Sequence, residues 1–190
     1  MKSRFLSLST SSLLLVMLVA CDLGLTLGTR STTENLPTVT VPGATLPLDL
    51  TVSFGLVLES PELNIGSEEA LVTFVSVRRL NLQILNSSEL DEGEDGIADN
   101  FDFLSSANIY IRGDFEGVTR QLKIASLEEN DPQIGSSTRF LDLPVNDNNN
   151  VFDFLLLPNG YEIVLDLVGT VPEDSVTFAG QLTYRIGLGI

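Results

Sequence analysis

From Pro47 onward the chain alternates between apolar and polar residues. Leu48, Leu50, Val52, Phe54, Leu56 and Leu58 share one parity, with Asp49, Thr51, Ser53 and Gly55 between them. A period of two belongs to a strand, whose successive side chains point to opposite faces. The pattern returns near the other end. Tyr161, Ile163, Leu165 and Leu167 alternate with Glu162, Val164, Asp166 and Val168. Val176, Phe178, Leu182, Tyr184, Ile186 and Leu188 face one way, against Ser175, Thr177, Gln181, Thr183 and Arg185. Such strands are half-buried and antiparallel, one side packed on a second sheet and the other wet. Between residues 71 and 85 the phase changes: Val75 and Val77 are odd, Leu80, Leu82 and Ile84 even, with Arg78-Arg79 at the change. A one-residue shift sends every later side chain to the other face, so the spacing predicts a β-bulge or bend at the arginine pair. Weaker strands are predicted over 108–112, 118–127 and 137–143. Turn residues divide them at Gly113-Asp114, Asp131-Pro132, Pro158-Asn159-Gly160 and Pro172-Glu173-Asp174.

Helix signals are few. Asn148-Asn149-Asn150 precedes Val151-Phe152-Asp153-Phe154-Leu155-Leu156, which suits one or two capped turns ended by Pro158 and Gly160. Phe101 to Ser106 suits another. The expected fold class is therefore all-β: an antiparallel β-sandwich of about seven or eight strands with one or two short helical turns. A closed barrel is the alternative. Uneven and short strands do not fit an outer-membrane barrel, whose strands run about ten residues and turn their apolar face to lipid.

Ahead of the sandwich, residues 22 to about 45 are rich in Thr, Gly and Pro and read as a flexible tether, although Leu23, Leu25 and Leu27 alternate well enough for a short strand. The first residues carry Lys2 and Arg4 and no acid, and Leu13-Leu14-Leu15-Val16-Met17-Leu18-Val19-Ala20 forms a short apolar core. A basic start, a brief apolar run and small residues before the cut describe a secretory signal. The run is too short to span a bilayer, which takes roughly 20 apolar residues. Leu18-Val19-Ala20-Cys21 resembles the lipobox of bacterial lipoprotein precursors, and Cys21 is the only cysteine. That resemblance implies a diacylglycerol on the Cys21 sulfur, cleavage before it and acylation (palmitate-type chains) of the new amino terminus. Two or more acyl chains hold a protein stably on a membrane. The implied organisation is a signal peptide over 1–20, a lipidated tether over 21–45 and a β-sandwich domain over 46–190, in the bacterial cell envelope. Leu80-Asn81-Leu82-Gln83-Ile84 and Phe103-Leu104-Ser105-Ser106-Ala107-Asn108-Ile109-Tyr110-Ile111 are also similar to uncharacterised bacterial lipoproteins of β-sandwich type, a likeness that names no activity.

Composition narrows the chemistry. The chain has no histidine, which removes Ser-His-Asp and Cys-His nucleophile systems, His-ligated zinc and imidazole acid–base work. With Cys21 lipidated no thiol is left for a disulfide or a thiolate metal site. The 10 basic residues face 26 acidic ones, a net charge of −16. Loss of Lys2 and Arg4 with the leader makes it −18. Nucleic acid is excluded as a partner, because phosphate neutralisation needs clustered Lys and Arg. The acidic surface suits solubility, divalent cations or basic partners.

The densest acidic segment runs Asp91-Glu92-Gly93-Glu94-Asp95-Gly96-Ile97-Ala98-Asp99-Asn100-Phe101-Asp102. Calcium loops place oxygen ligands at alternate positions with a glycine at the sixth. With Asp91 first, Asp95 is fifth, Gly96 sixth, Asp99 ninth and Asp102 twelfth, so Asp91, Asp95, Asp99 and Asp102 are the candidate calcium ligands. The segment resembles the calcium loops of EF-hand and thrombospondin type-3 sequences. It departs from them at Gly93, where an acid or amide is usual, and at Asp102, where EF-hands carry Glu. No other cofactor is expected. The bland reading is a solvated acidic loop screened by water and salt. Asn146 to Asn150 suit turn and cap duty, and Arg78-Arg79 suit a solvated pair beside acids. Glu68-Glu69 and Glu128-Glu129 are too ordinary among 26 acids to argue for a glycosidase pair. With Tyr110, Tyr161 and Tyr184 the only tyrosines and no tryptophan, a stacked-aromatic sugar platform is poorly supplied. The function expected is a non-enzymatic, membrane-anchored envelope lipoprotein that meets a protein partner, an exposed strand edge being a natural docking surface. The alternative is a calcium-dependent adhesion or carbohydrate-binding module. A carboxylate hydrolase and a lipid-carrying barrel are weaker alternatives.

Overall fold

The computed structural model describes residues 26–44, 51–59, 72–85, 99–134, 138–172 and 174–189. These form nine strands and one helical turn: β1 (Thr26–Asn35), β2 (Val39–Val41), β3 (Val52–Glu59), β4 (Val72–Ile84), β5 (Leu104–Phe115), β6 (Val118–Leu127), β7 (Phe140–Leu143), α1 (Phe152–Leu155), β8 (Glu162–Gly169) and β9 (Val176–Gly189). One sheet has the order β1-β9-β4-β7, with β2 also paired to β9; the other has the order β3-β8-β5-β6. All pairings are antiparallel. The all-β sandwich expected from the alternation is the fold observed.

β1 and β2 run along the same side of β9, so they act as one interrupted edge strand. Counted that way, each sheet has four positions, and every connection crosses to the other sheet except the β5–β6 hairpin. This is the doubly wound Greek-key arrangement of a jelly roll. The alternating residues meet in the middle: Val75, Leu80, Leu82 and Ile84 of β4, Ile109 and Ile111 of β5, Ile163, Leu165 and Leu167 of β8, and Phe178, Leu182, Tyr184 and Ile186 of β9 are all buried. The phase change in β4 is a register shift between Val77 and Arg79, which puts both arginines outside and restores Leu80 to the core.

Three expectations need correction. The tether does not extend to residue 45: Thr26–Asn35 and Val39–Val41 are strands of the first sheet, so residues 26–41 belong to the sandwich. Its inner positions are Arg30, Thr32 and Glu34, opposite Ile186, Tyr184 and Leu182, and no apolar alternation announces such a strand. Gly113-Asp114 is not a turn. Gly113 lies inside β5, where a Cβ would collide with Leu157 Cδ1. The turn is Glu116-Gly117, both with positive φ, as a two-residue hairpin of the favoured twist requires. Asp114 Oδ1 accepts a hydrogen bond from Gly117 N at 2.6 Å to close it. The predicted turn at 101–106 ends early, because Leu104 and Ser106 already pair with Gly169 and Val168.

The helical turn near Asn150 is present. Asn150 Oδ1 accepts from Phe152 N and from Val75 N, both at 3.1 Å, and Val151 N donates to Val75 O at 2.7 Å. The asparagine thus ties α1 to the free side of β4, and Phe154 packs edge-on against Phe115 with ring centroids 5.1 Å apart.

Candidate functional site

β7 and β6 end their respective sheets, and they are stitched together. Ala125 and Val145 form a bridge, Ser126 N donates to Pro144 O at 3.0 Å, and Asn146 N donates to Ile124 O at 2.9 Å. The sandwich is therefore closed along that flank. The opposite flank lies between β1-β2 and β3, where among the described residues no backbone pairing joins the sheets. Among the described residues the sandwich is thus closed on one side and presents two unpaired strand edges on the other, and these edges are the candidate site.

The β1-β2 edge carries several features known to discourage pairing with a foreign strand. A register shift lies between Thr26 and Gly28, Arg30 and Glu34 point inward, and Pro37 and Pro42 bracket β2. Polar bonds hold it to β9: Thr33 and Thr183 hydroxyls at 2.9 Å, Thr40 and Thr177 hydroxyls at 3.0 Å, and Gln181 Nε2 donating to Asn35 Oδ1 at 3.1 Å. Buried Leu36 donates its N–H to Gly180 O at 2.8 Å.

Behind this edge lies a buried polar pair. The hydroxyls of Tyr161 and Tyr184 meet at 3.0 Å across the two sheets. Burial is the main reason the Tyr161 phenol is pushed up to about 12; the hydrogen bond from its partner acts the other way, and the Glu34 charge adds to the rise. Tyr184 is raised well above the ordinary phenol range by burial, then by Tyr161 and Glu34. Glu34 is itself raised by burial, and its Oε2 is buried with no hydrogen-bond partner among the described residues.

The β3 edge has neither a shifted register nor an inward charge. Its register with β8 runs unbroken from Val52–Gly169 to Glu59–Glu162. It contains no proline, no lysine and one charged residue, Glu59, at its end. Val52, Phe54 and Leu56 face inward yet are only partly buried, and Val57 on the outer face is 50% exposed. Ser53 Oγ donates to Asp166 Oδ1 at 2.8 Å. β6, the other end strand of this sheet, differs again, with Arg120, Lys123 and a register shift opposite Ile109-Tyr110.

Of the sites expected from sequence, Cys21, Asp91 and Asp95 lie outside the described residues, as do Glu68 and Glu69. Asp99 accepts from Arg139 Nε through its backbone oxygen at 3.4 Å. Asp102 is exposed, and its N–H donates to Asn100 Oδ1 at 2.7 Å, a local turn. Among the described residues no three acidic side chains converge as a metal site would need. The arginine pair is solvated beside acids, as expected: Arg79 makes two 3.0 Å bonds to Asp142, which raise its pKa, and Arg78 reaches Asp147 at 3.4 Å. Tyr161 and Tyr184 are in the core.

Sequence alternation locates β3 but not its exposure, and for β1 reaches only the first residues, through the possible short strand at Leu23, Leu25 and Leu27. The Val39-Thr40-Val41 triplet between two prolines was the available signal for a broken edge strand. No helix of the described residues is long and apolar enough to cross a membrane. No family model matches the chain, and no curated protein matches it. Among solved structures, the decameric BFDV capsid protein aligns over 84% of this chain and 98% of its own, with 9% identity and a TM-score of 0.41. The 60-mer BFDV capsid protein aligns over 85% and 93%, with 10% identity and a TM-score of 0.36.

Proposed function

We propose that this protein is a non-enzymatic bacterial envelope lipoprotein: a jelly-roll domain held at a membrane by lipid on Cys21, and docking to another protein through the β3 edge. The observation that carries the anchoring is the lone cysteine ending an apolar run behind a basic start. The strand assignment sharpens it. β1 starts at Thr26, five residues after Cys21, and five fully extended residues reach at most about 18 Å. On this reading the sandwich sits against the bilayer and does not swing on a long leash. Its membrane-proximal end is the one holding the Thr26–Gly189 pair.

The residues flanking the acidic loop sit at the far end. Ile84 pairs with Phe178, at the start of β9, whereas Thr26 pairs with Gly189 at its finish. Anionic lipid head groups repel carboxylates, so electrostatics favours an orientation in which Ile84 and Asp99, described residues on either side of that segment, lie away from the surface.

Mass spectrometry of the mature amino-terminal peptide tests the anchoring. A diacylglyceryl mass on Cys21 is expected, and Cys21→Ser should move the protein from the membrane to the soluble fraction. An unmodified thiol, or a serine variant that still sediments with membranes, overturns it.

A further inference from the structure

We infer that the partner on the β3 edge is a second copy of this chain, the two β3 strands pairing antiparallel about a two-fold axis through Gly55. This deepens the reading of β3 as a docking edge and does not depend on the lipid.

An antiparallel pair keeps both inner faces on the same side only if directly opposite residues have the same parity. A two-fold axis perpendicular to the sheet must then pass through a residue and not between two. With the axis at Gly55, Val52 meets Leu58 and Phe54 meets Leu56, so every inward residue of the strand gains an apolar partner from within the strand. Moving the axis to Leu56 would carry Val52 beyond the strand end. On the outer face Ser53 meets Val57, covering the most exposed apolar residue of the edge. Charge agrees. In a chain of net charge −16, the seven residues from Val52 to Leu58 carry none, and Glu59 falls opposite Thr51 and not opposite its own copy. Like charges facing each other are thus avoided at the seam, although the whole molecules repel at long range. The result is one continuous eight-stranded sheet, with the isologous contact that a two-fold dimer requires.

Gly55 provides the test. A Cβ there meets nothing within 4 Å, and the backbone is not in the left-handed region, so a side chain fits the single molecule. On the axis it would face its own copy. Native mass spectrometry and sedimentation of the full chain in detergent should show a dimer. Gly55→Asp should weaken it by about tenfold or more, because two carboxylates are forced together. Gly55→Asn, equal in size and uncharged, should remain dimeric and keep the wild-type Tm when diluted to monomer, while the Gly55→Asp monomer, whose new carboxylate stands opposite Asp166 on β8, should melt slightly lower. Raising salt should strengthen the wild-type dimer by screening the −16 charge. A short thiol cross-linker should join two copies of the chain carrying Cys21→Ser and Gly55→Cys, and leave Cys21→Ser with Thr33→Cys uncrosslinked.

A monomeric wild type overturns the inference, as does a dimer indifferent to Gly55→Asp or one dissolved by salt. A monomer whose Gly55→Asp variant loses a co-purifying envelope protein would remove the second copy while leaving β3 as a docking edge.

Discussion

β1 turns Arg30, Thr32 and Glu34 toward the gap between the sheets, whereas β3, across that gap, turns Val52, Phe54 and Leu56 toward it. Both are the last strand of a sheet, and among the described residues neither is paired on its other side. The polar edge is the better defended. A foreign strand arriving at β1 meets a shifted register, flanking prolines and inward charges that cannot be dehydrated cheaply, whereas one arriving at β3 meets a straight, uncharged, apolar template. The difference teaches that an edge can be held tightly from behind and still be closed to partners. Cross-strand hydroxyl and amide pairs bind β1 to β9, and its inward Arg30 and Glu34 remain partly exposed.

The comparison breaks most visibly at Leu36. This side chain is 4% exposed at the joint between β1 and β2, so Leu36→Ala should destabilise the protein by about 2–4 kcal/mol in urea unfolding. The matching truncation on the other edge, Val57→Ala, removes a half-exposed methyl pair and should stay within about 0.5 kcal/mol once the protein is dilute. Equal effects would mean that β1-β2 is not seated as described.

The tyrosine pair behind the edges gives the next largest effect. Tyr161→Phe leaves the Tyr184 hydroxyl buried without its 3.0 Å partner and should cost about 1–2 kcal/mol. The double Phe variant should cost less than the sum of the two single changes, because it leaves no orphan. Both phenols are raised in the fold, so the folded state keeps protons that the unfolded chain has already released. The stability they give is complete below the ordinary phenol pKa, near 10, and is lost as pH rises toward about 12 for Tyr161. Wild-type Tm should fall over that window and fall less in the double variant; parallel curves would show that the pair does not titrate with unfolding.

Much of this architecture was legible in the residues because one physical rule produces it. Where a strand has one dry face, as in β4, β8 and β9, parity marks the buried set, and even the slip at Arg78-Arg79 could be read before any coordinates. The rule fails where its premise fails. The inner positions of β1 are Arg30, Thr32 and Glu34, so no apolar parity marks it although it pairs with β9 from Thr26 to Asn35. Gly113 reads as a turn residue, yet it is a strand residue made small by Leu157. The edge at β3 was visible as a strand but not as an edge, because strand order is set by contacts between residues such as Val52 and Gly169, more than a hundred positions apart. Local pattern reports which face is dry, not which neighbour dries it.

The smallest effect sharpens the comparison most directly, because it makes β1 resemble β3. Glu34 points inward on the defended edge, and burial raises its pKa. The folded protein therefore binds the Glu34 proton more tightly than the unfolded chain does. The stability this gives is present below the ordinary carboxylate range and is lost as pH climbs through the raised folded value, so at neutral pH the ionised group is a burden. Glu34→Gln should raise Tm at pH 7 and leave it unchanged near pH 3, where both side chains are neutral. Since Glu34 is half-exposed, water screens it and the rise should be about 2 °C or less. A lower Tm for Glu34→Gln at pH 7 would mean that the carboxylate has a stabilising partner. A higher one would mean that the edge carries a small instability in the folded state, the cost of holding at the gap a charge that an incoming strand would have to strip of water.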